Sequence, residues 1–189
     1  IKNKLSKIDI LINNVGIYKS QSFFETTNED WLKQFNVNFM CGVELSRYYL
    51  PKMIESNWGR IIFISSECAF LVPEDMISYS TTKLALHGLS RGLSKLTSGT
   101  EVTVNTIVPG STLTPGANKF LNELANKEGK TTKQVEKEFF DKVRTSSILK
   151  RFATEDEVAK TIIYICSPVS IATNGSVIKV DGGSTGGIN

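Results

Sequence analysis

The sequence has little of the chemistry that metal sites and disulfides require. Its 189 residues include one histidine and three cysteines. Cys41, Cys68 and Cys166 are widely separated, odd in number and without Cys-x-x-Cys spacing, which indicates reduced thiols in a cytosolic protein. Without clustered ligands we expect no catalytic metal.

Long apolar runs and strong charge of one sign are also missing. No apolar run approaches the roughly 18 residues that a membrane helix needs. The net charge of +3 is too small to argue for nucleic acid or an anionic membrane surface as a partner. The length predicts one domain over residues 1–189 with a sizeable core.

Short apolar runs alternate along the chain with helical patterns. Most of the runs are too apolar to have a solvated face, which is typical of parallel strands covered by helices on both sides. We therefore predict an α/β fold with a doubly wound parallel sheet. The predicted strands are Ile8–Asn13, Arg60–Ser65, Val102–Val108 and Ser176–Val180. A helix is predicted at Glu155–Cys166, with Thr154 as N-cap.

Three residues suggest chemistry on a carbonyl or an alcohol. Ser66 ends a predicted strand, and Tyr79 and Lys83 lie four residues apart on the following helix, so both share one helix face. A free tyrosine has a pKa of about 10. We expect the Lys83 ammonium to lower the pKa of Tyr79 and make it a general acid/base. The Ser66 hydroxyl would then hold the substrate oxygen.

The tyrosine–lysine spacing alone is weak evidence, because the chain contains it twice. Tyr48 and Lys52 are also four residues apart, but Pro51 lies between them and Phe35 stands where a serine would be needed. The order of strand serine, helix tyrosine and helix lysine is the more specific signal.

At these residues the chain resembles the short-chain dehydrogenase/reductase family, and the resemblance runs from Ile8 to the C-terminus. Ser66, Tyr79 and Lys83 match the family's catalytic residues, and Asn38 matches its helix asparagine. The resemblance implies a Rossmann-like fold and hydride transfer between NAD or NADP and a small carbonyl or alcohol substrate. It also implies that Lys83 binds the nicotinamide ribose and that Asn38 supports a proton relay.

Further motifs match the family's cofactor-binding segments. Asn13-Asn14-Val15-Gly16 resembles the turn after its fourth strand, Pro109-Gly110 resembles the loop that closes on nicotinamide, and Val180-Asp181-Gly182-Gly183 resembles the segment after its last strand. The cofactor-binding residues implied by the resemblance are Asn14, Gly16, Tyr79, Lys83, Pro109, Gly110 and Thr114.

Two departures from the family pattern stand out. Phe39-Met40-Cys41 precedes Gly42 where many members have one residue fewer. The family's glycine-rich loop, which cradles a pyrophosphate at a helix N-terminus, has no counterpart in this sequence. We therefore expect that the N-terminal strands are missing and that the sequence represents the C-terminal two-thirds of the domain. The sequence does not distinguish NAD from NADP.

The stretch at 111–151 is long for a connection between two strands and contains two helical patterns, at Asn118–Asn126 and Lys133–Val143. By the resemblance it forms a substrate lid, and we expect its apolar face to cover an apolar or medium-sized substrate. The resemblance also implies a homodimer or homotetramer, assembled through the helices that carry Asn38 and Tyr79.

Two alternatives remain open at this stage. One is a catalytically inactive relative with a binding or structural role, which the missing glycine-rich loop would favour. The other is an epimerase or dehydratase of the extended type, which shares the tyrosine–lysine pair but usually has a longer C-terminal substrate domain. The substrate and the direction of hydride transfer are not readable from the residues.

Overall fold

A computed structural model of the chain describes residues 6–187 and contains a parallel sheet at its centre. The strands pair in the order β1-β2-β3-β4, every neighbouring pair being parallel. The predicted strands are confirmed, with ends displaced by at most two residues. They are β1 (Ile10–Asn13), β2 (Trp58–Ile64), β3 (Glu101–Pro109) and β4 (Val177–Val180).

Helices cover both faces of the sheet, because alternate side chains of the apolar strands point to opposite sides. Ile61 and Phe63 of β2 pack in one cluster with side chains of α2 (Cys41–Glu55) and α4 (Ile77–Leu96). Ile62 and Ile64 pack on the other side, with side chains of α7 (Glu155–Cys166). Burying each such side chain contributes about 1.5–3 kcal/mol. The predicted α/β class, with a sheet flanked by helices, is confirmed.

The remaining described helices connect these layers. They are α1 (Asn28–Phe35), α3 (Cys68–Leu71), α5 (Pro115–Glu128) and α6 (Thr132–Lys142), with 3-10 turns at Phe23–Glu25 and Pro168–Ser170. Helix α7 begins where the sequence predicts. The Thr154 Oγ1 accepts from the Glu157 backbone N–H at 3.2 Å, and the Glu157 carboxylate accepts from the Thr154 N–H at 2.8 Å.

A π-helical segment at Asn36–Met40 joins α1 to α2. Such a segment adds one residue to a helix without breaking it. It lies just before Gly42, where the sequence has one residue more than many family members. Gly42 is fixed against the sheet, because a Cβ there would lie 2.9 Å from Cε1 of Phe63. The wider turn thus absorbs the additional residue while Gly42 keeps its contact with β2.

None of the helices described over residues 6–187 has both the length and the apolar character needed to cross a membrane.

Candidate active site

A cavity of about 440 Å³ lies at the carboxyl ends of β1, β2 and β3. Ser66 reaches it just beyond the end of β2, and Tyr79 and Lys83 reach it from the first two turns of α4. The structure therefore brings together the three side chains on which the sequence argument depends. In open α/β sheets, ligands bind at this edge.

The pKa of Tyr79 differs from the sequence-based expectation. Burial raises it to about 12, and the hydrogen-bonded Ser66 hydroxyl offsets only part of that effect. The Lys83 Nζ lies 5.7 Å from the centre of the Tyr79 ring. The pKa of Tyr79 is thus raised and not lowered as expected, because removing the phenolate from water outweighs the groups that stabilise it.

Lys83 is itself buried, and its environment is tightly defined. Its Nζ donates to the backbone carbonyl of Ile64 at 2.8 Å. Burial lowers the pKa of Lys83 to about 8. A Cβ on Gly16 would lie 3.2 Å from this Nζ, so the absence of a side chain at Gly16 leaves room for the ammonium. An ammonium has three donors, and the Ile64 carbonyl takes one of them.

Asn38 lies in the π-helical segment and is buried, but it is not among the residues that line the cavity. Its Oδ1 accepts from the Ile17 N–H at 2.8 Å, and its Nδ2 donates to the Ile17 carbonyl at 2.9 Å. The Nδ2 also donates to Thr82 Oγ1 at 3.0 Å. The side chain therefore ties the segment after β1 to α4, next to Lys83.

The other predicted cofactor-binding residues come from three different places in the chain and meet at the same cavity. Thr114 is the N-cap of α5, and its Oγ1 accepts from the Ala117 N–H at 3.2 Å. The predicted residues that line the cavity, besides Tyr79 and Lys83, are Asn14, Gly16, Pro109, Gly110 and Thr114.

Two charged residues of the cavity wall are absent from the sequence-based set. Glu67 directly follows Ser66, and Arg144 follows α6. Arg144 Nε donates to Glu67 Oε1 at 2.9 Å, and the two side chains are 15% and 5% exposed. For Glu67, the sequence offered one sign of a role at the site, namely a glutamate at the end of an apolar strand. Its partner, however, is 77 residues away, and no local pattern connects the two.

The apolar side chains of the 111–151 segment pack mainly against one another. Leu121, Val135 and Phe140 form a buried cluster between α5 and α6, whereas Phe120 and Val143 are 53% and 57% exposed. None of these five lines the cavity. The expectation that the apolar face of this segment covers an apolar or medium-sized substrate therefore stays a prediction. The segment instead presents Ser111, Thr112, Thr114 and Arg144 to the cavity.

Known proteins resemble this chain over most of its length. The chain matches a family model described as enoyl-(acyl carrier protein) reductase over residues 1–185. It is 42% identical over 177 residues to a Bacillus subtilis protein named uncharacterized oxidoreductase YvaG, covering 94% of this chain and 67% of the relative. It is 33% identical over 183 residues to the 3-oxoacyl-[acyl-carrier-protein] reductase FabG of Aquifex aeolicus, covering 97% of this chain and 68% of that protein.

Among solved structures, the chain is similar to L-sorbose reductase from Gluconobacter frateurii, which was crystallised with NADPH and L-sorbose. The TM-score is 0.90 at 30% identity, covering 99% of this chain and 70% of that one. The chain thus spans about two thirds of the length of these relatives.

Proposed function

The chain belongs to the short-chain dehydrogenase/reductase family of oxidoreductases, and from this premise we propose that it transfers a hydride between NAD or NADP and a carbonyl or alcohol substrate. The observation that carries the proposal is the shared cavity of Ser66, Tyr79 and Lys83. A hydroxyl, a phenol and an ammonium there can hold a substrate oxygen and exchange a proton with it.

The residues present fit a nicotinamide nucleotide. Lys83 keeps two donors beyond its bond to Ile64, which suits the hydroxyls of a ribose. Gly16 leaves the space above the ammonium open, and Asn14, Gly110 and Thr114 supply polar groups along the same wall. When bound, the nicotinamide supplies or accepts the hydride.

Tyr79 is the proton donor in this proposal. With a pKa of about 12 it is protonated at neutral pH, so it acts as an acid toward a carbonyl oxygen. Ser66, hydrogen-bonded to the same phenol, orients that oxygen. As the carbonyl carbon takes the hydride, its oxygen takes the phenol proton, and an alcohol is formed. The protonated form of Tyr79 therefore suits the reductive direction at neutral pH.

Lys83 and Asn38 support this proton transfer. Lys83 is protonated at neutral pH, because its pKa is about 8, and it stabilises the phenolate that is left behind. The Asn38 side chain holds Ile17 and Thr82 in place beside Lys83. We assign a positioning role to the Asn38 side chain. We assign to its main chain the part in a proton relay that the family resemblance implies.

The 111–151 segment acts as a substrate lid within a single domain over residues 1–189. Two observations support this proposal. Four polar residues of the segment line the cavity, and its apolar side chains form a buried cluster of their own between α5 and α6. Limited proteolysis with and without cofactor tests this part of the proposal. Cofactor should slow cleavage between α5 and α6, and an unchanged cleavage rate would contradict the lid.

We also propose that the protein is a homodimer or homotetramer in the cytoplasm. An apolar groove between α2 and α4 includes Leu50, Leu89 and Leu93, and Leu96 beside it is 63% exposed. Cys41, Cys68 and Cys166 are all free thiols, as a reducing compartment requires. Light scattering on the purified protein would test the oligomeric state.

The decisive experiment is a cofactor-oxidation screen with the complete gene product. Reduced NAD and NADP would each be offered with panels of ketones and aldehydes, and the loss of reduced nicotinamide followed. Turnover with any carbonyl class supports the proposal. If the protein binds neither cofactor and reduces no carbonyl, the inactive binding role replaces it.

A further inference from the structure

We infer that Glu67 and Arg144 recognise hydroxyl groups of the substrate, so that the carbonyl compound reduced is polyhydroxylated, as in a ketose. The inference rests on the proposed function and names its substrate class. It begins from the position of Glu67. Its backbone N–H donates to the Pro109 carbonyl at 2.8 Å, which fixes the main chain between β2 and β3.

The carboxylate of Glu67 is only partly satisfied. Its Oε1 accepts from Ser111 Oγ at 2.9 Å and from Arg144 Nε at 2.9 Å. Its Oε2 is buried and has no hydrogen-bond partner within residues 6–187. Leaving a buried polar atom without a partner is energetically unfavourable. An oxygen of this kind on a cavity wall is suited to accept a hydrogen bond from a ligand.

Arg144 supplies the complementary donors. A guanidinium carries five N–H donors in a fixed plane, and Nε is the one given to Glu67. The Cys68 thiol, a weak hydrogen-bonding group, is another neighbour of this guanidinium. The wall thus places a carboxylate oxygen that has no partner within residues 6–187 beside guanidinium donors.

This combination selects hydroxyl groups over other ligand chemistry. Adjacent hydroxyls can donate to Glu67 and accept from Arg144 at the same time. An anionic group would meet the carboxylate, and the ion pair has no net charge to attract it. An apolar chain would leave Oε2 buried and unpaired, which disfavours its binding.

The recognised hydroxyls must lie close to the reacting carbon. Glu67 is the neighbour of Ser66 in the chain, and adjacent Cα atoms are about 3.8 Å apart. The Glu67 carboxylate also acts on the Tyr79 phenol, so we place the recognised hydroxyls close to the carbonyl carbon, as in a 2-ketose.

The test compares a 2-ketohexose with 2-hexanone, using the complete gene product and whichever reduced cofactor it accepts. We expect kcat/KM for the ketohexose to exceed that for 2-hexanone by about a hundredfold or more, since sites built to bind a hydroxyl reject analogues that lack it. In Glu67→Gln and Arg144→Met, this ratio should fall about tenfold or more. Lys142→Met, which removes a nearby exposed ammonium, should keep the wild-type ratio.

Each outcome separates the two proposals. If the wild type reduces neither carbonyl nor any other, the proposed function fails. If it reduces 2-hexanone or a β-ketoacyl thioester at least as well as the ketohexose, only the hydroxyl inference fails. Equal losses on both substrates in folded variants would make the ion pair structural and would also overturn the inference.

Calorimetric binding of a hexitol to the wild-type cofactor complex keeps the test valid if the variants do not fold. Measurable binding of the hexitol, together with none of hexane-2-ol, supports the inference. Equal affinity for the two alcohols contradicts it.

Discussion

Gly16 and Lys83 are in direct steric relation. The segment after β1 passes so close to α4 that a Cβ on Gly16 would lie 3.2 Å from the Lys83 Nζ and 3.6 Å from the Asn38 Oδ1. The distance of 3.2 Å to the Lys83 Nζ is tighter than an ordinary van der Waals contact. The ammonium is held on its other side by the Ile64 carbonyl, at 2.8 Å, and has little freedom to move away.

Gly16→Ala should therefore impair turnover more than folding. The added methyl group pushes the ammonium from its position, and we expect kcat/KM to fall about tenfold, because small displacements of supporting groups are costly. Steady-state kinetics and thermal unfolding would measure the two effects. Gly92→Ala is the matched control, because nothing lies within 4 Å of its added Cβ on α4. It should leave kinetics unchanged and stabilise the helix by about 0.5–1 kcal/mol.

Tyr79→Phe should leave the fold intact and lower kcat by about 10²–10⁴, which is the usual contribution of a positioned general acid. Tyr48→Phe is an internal control, since Tyr48 also precedes a lysine by four residues. There the Lys52 Nζ lies 3.8 Å above the Tyr48 ring, outside the cavity. Near-normal carbonyl reduction by Tyr79→Phe would exclude the assigned role of this tyrosine.

The pKa values of Tyr79 and Lys83 predict opposite pH responses for the two directions of reaction. Reduction needs the protonated phenol and the ammonium, so it should be constant below pH 8 and decline as Lys83 loses its proton above its pKa of about 8. Alcohol oxidation needs the phenolate beside the ammonium, so it should rise with pH up to about 8 and level off above it, because Lys83 then loses its proton as the phenolate forms. Initial rates across this range would measure both. A reduction rate that increases between pH 8 and pH 10 is the contrary outcome.

Lys83→Met should stabilise the protein without cofactor while removing activity. Burial lowers the pKa of Lys83 from 10.5 to about 8, so the unfolded chain binds this proton more tightly. Wild-type stability is therefore lowest below pH 8 and rises between about pH 8 and pH 10.5. Below pH 8, removing the ammonium should raise the free energy of unfolding by roughly 3 kcal/mol. The loss of the hydrogen bond to the Ile64 carbonyl offsets part of this gain, so the net increase in the free energy of unfolding should be about 1–2 kcal/mol.

Denaturant unfolding at pH 7 and pH 10 measures this difference. The gain from Lys83→Met should shrink at the higher pH, where the wild-type lysine is neutral in the folded state. Lys95→Met removes an exposed ammonium from the same helix and should change stability by less than about 0.5 kcal/mol. A Lys83→Met protein that is less stable than the wild type at pH 7 would contradict the prediction, because it would show that interactions in the folded state outweigh the cost of burying the Lys83 charge.

Features that depend on neighbours along the chain could be predicted from the amino-acid sequence. Strand β2 was predictable because a run of apolar residues buried on both faces signals a parallel sheet. The start of α7 at Thr154 was predictable because capping uses side chains three residues apart. The meeting of Ser66 with Tyr79 and Lys83 was also predictable, because helix spacing and the strand end place them together.

Features that depend on distant residues and on the exclusion of water became visible in the folded chain alone. The pKa of Tyr79 rises because the phenol is buried, and spacing along the chain contains no information about burial. The Glu67–Arg144 pair joins side chains 77 residues apart, which no local pattern connects. Helices α5 and α6 bury apolar side chains against each other. Either the neighbouring helix or a substrate could have buried those side chains, and the choice depends on the packing of the whole segment.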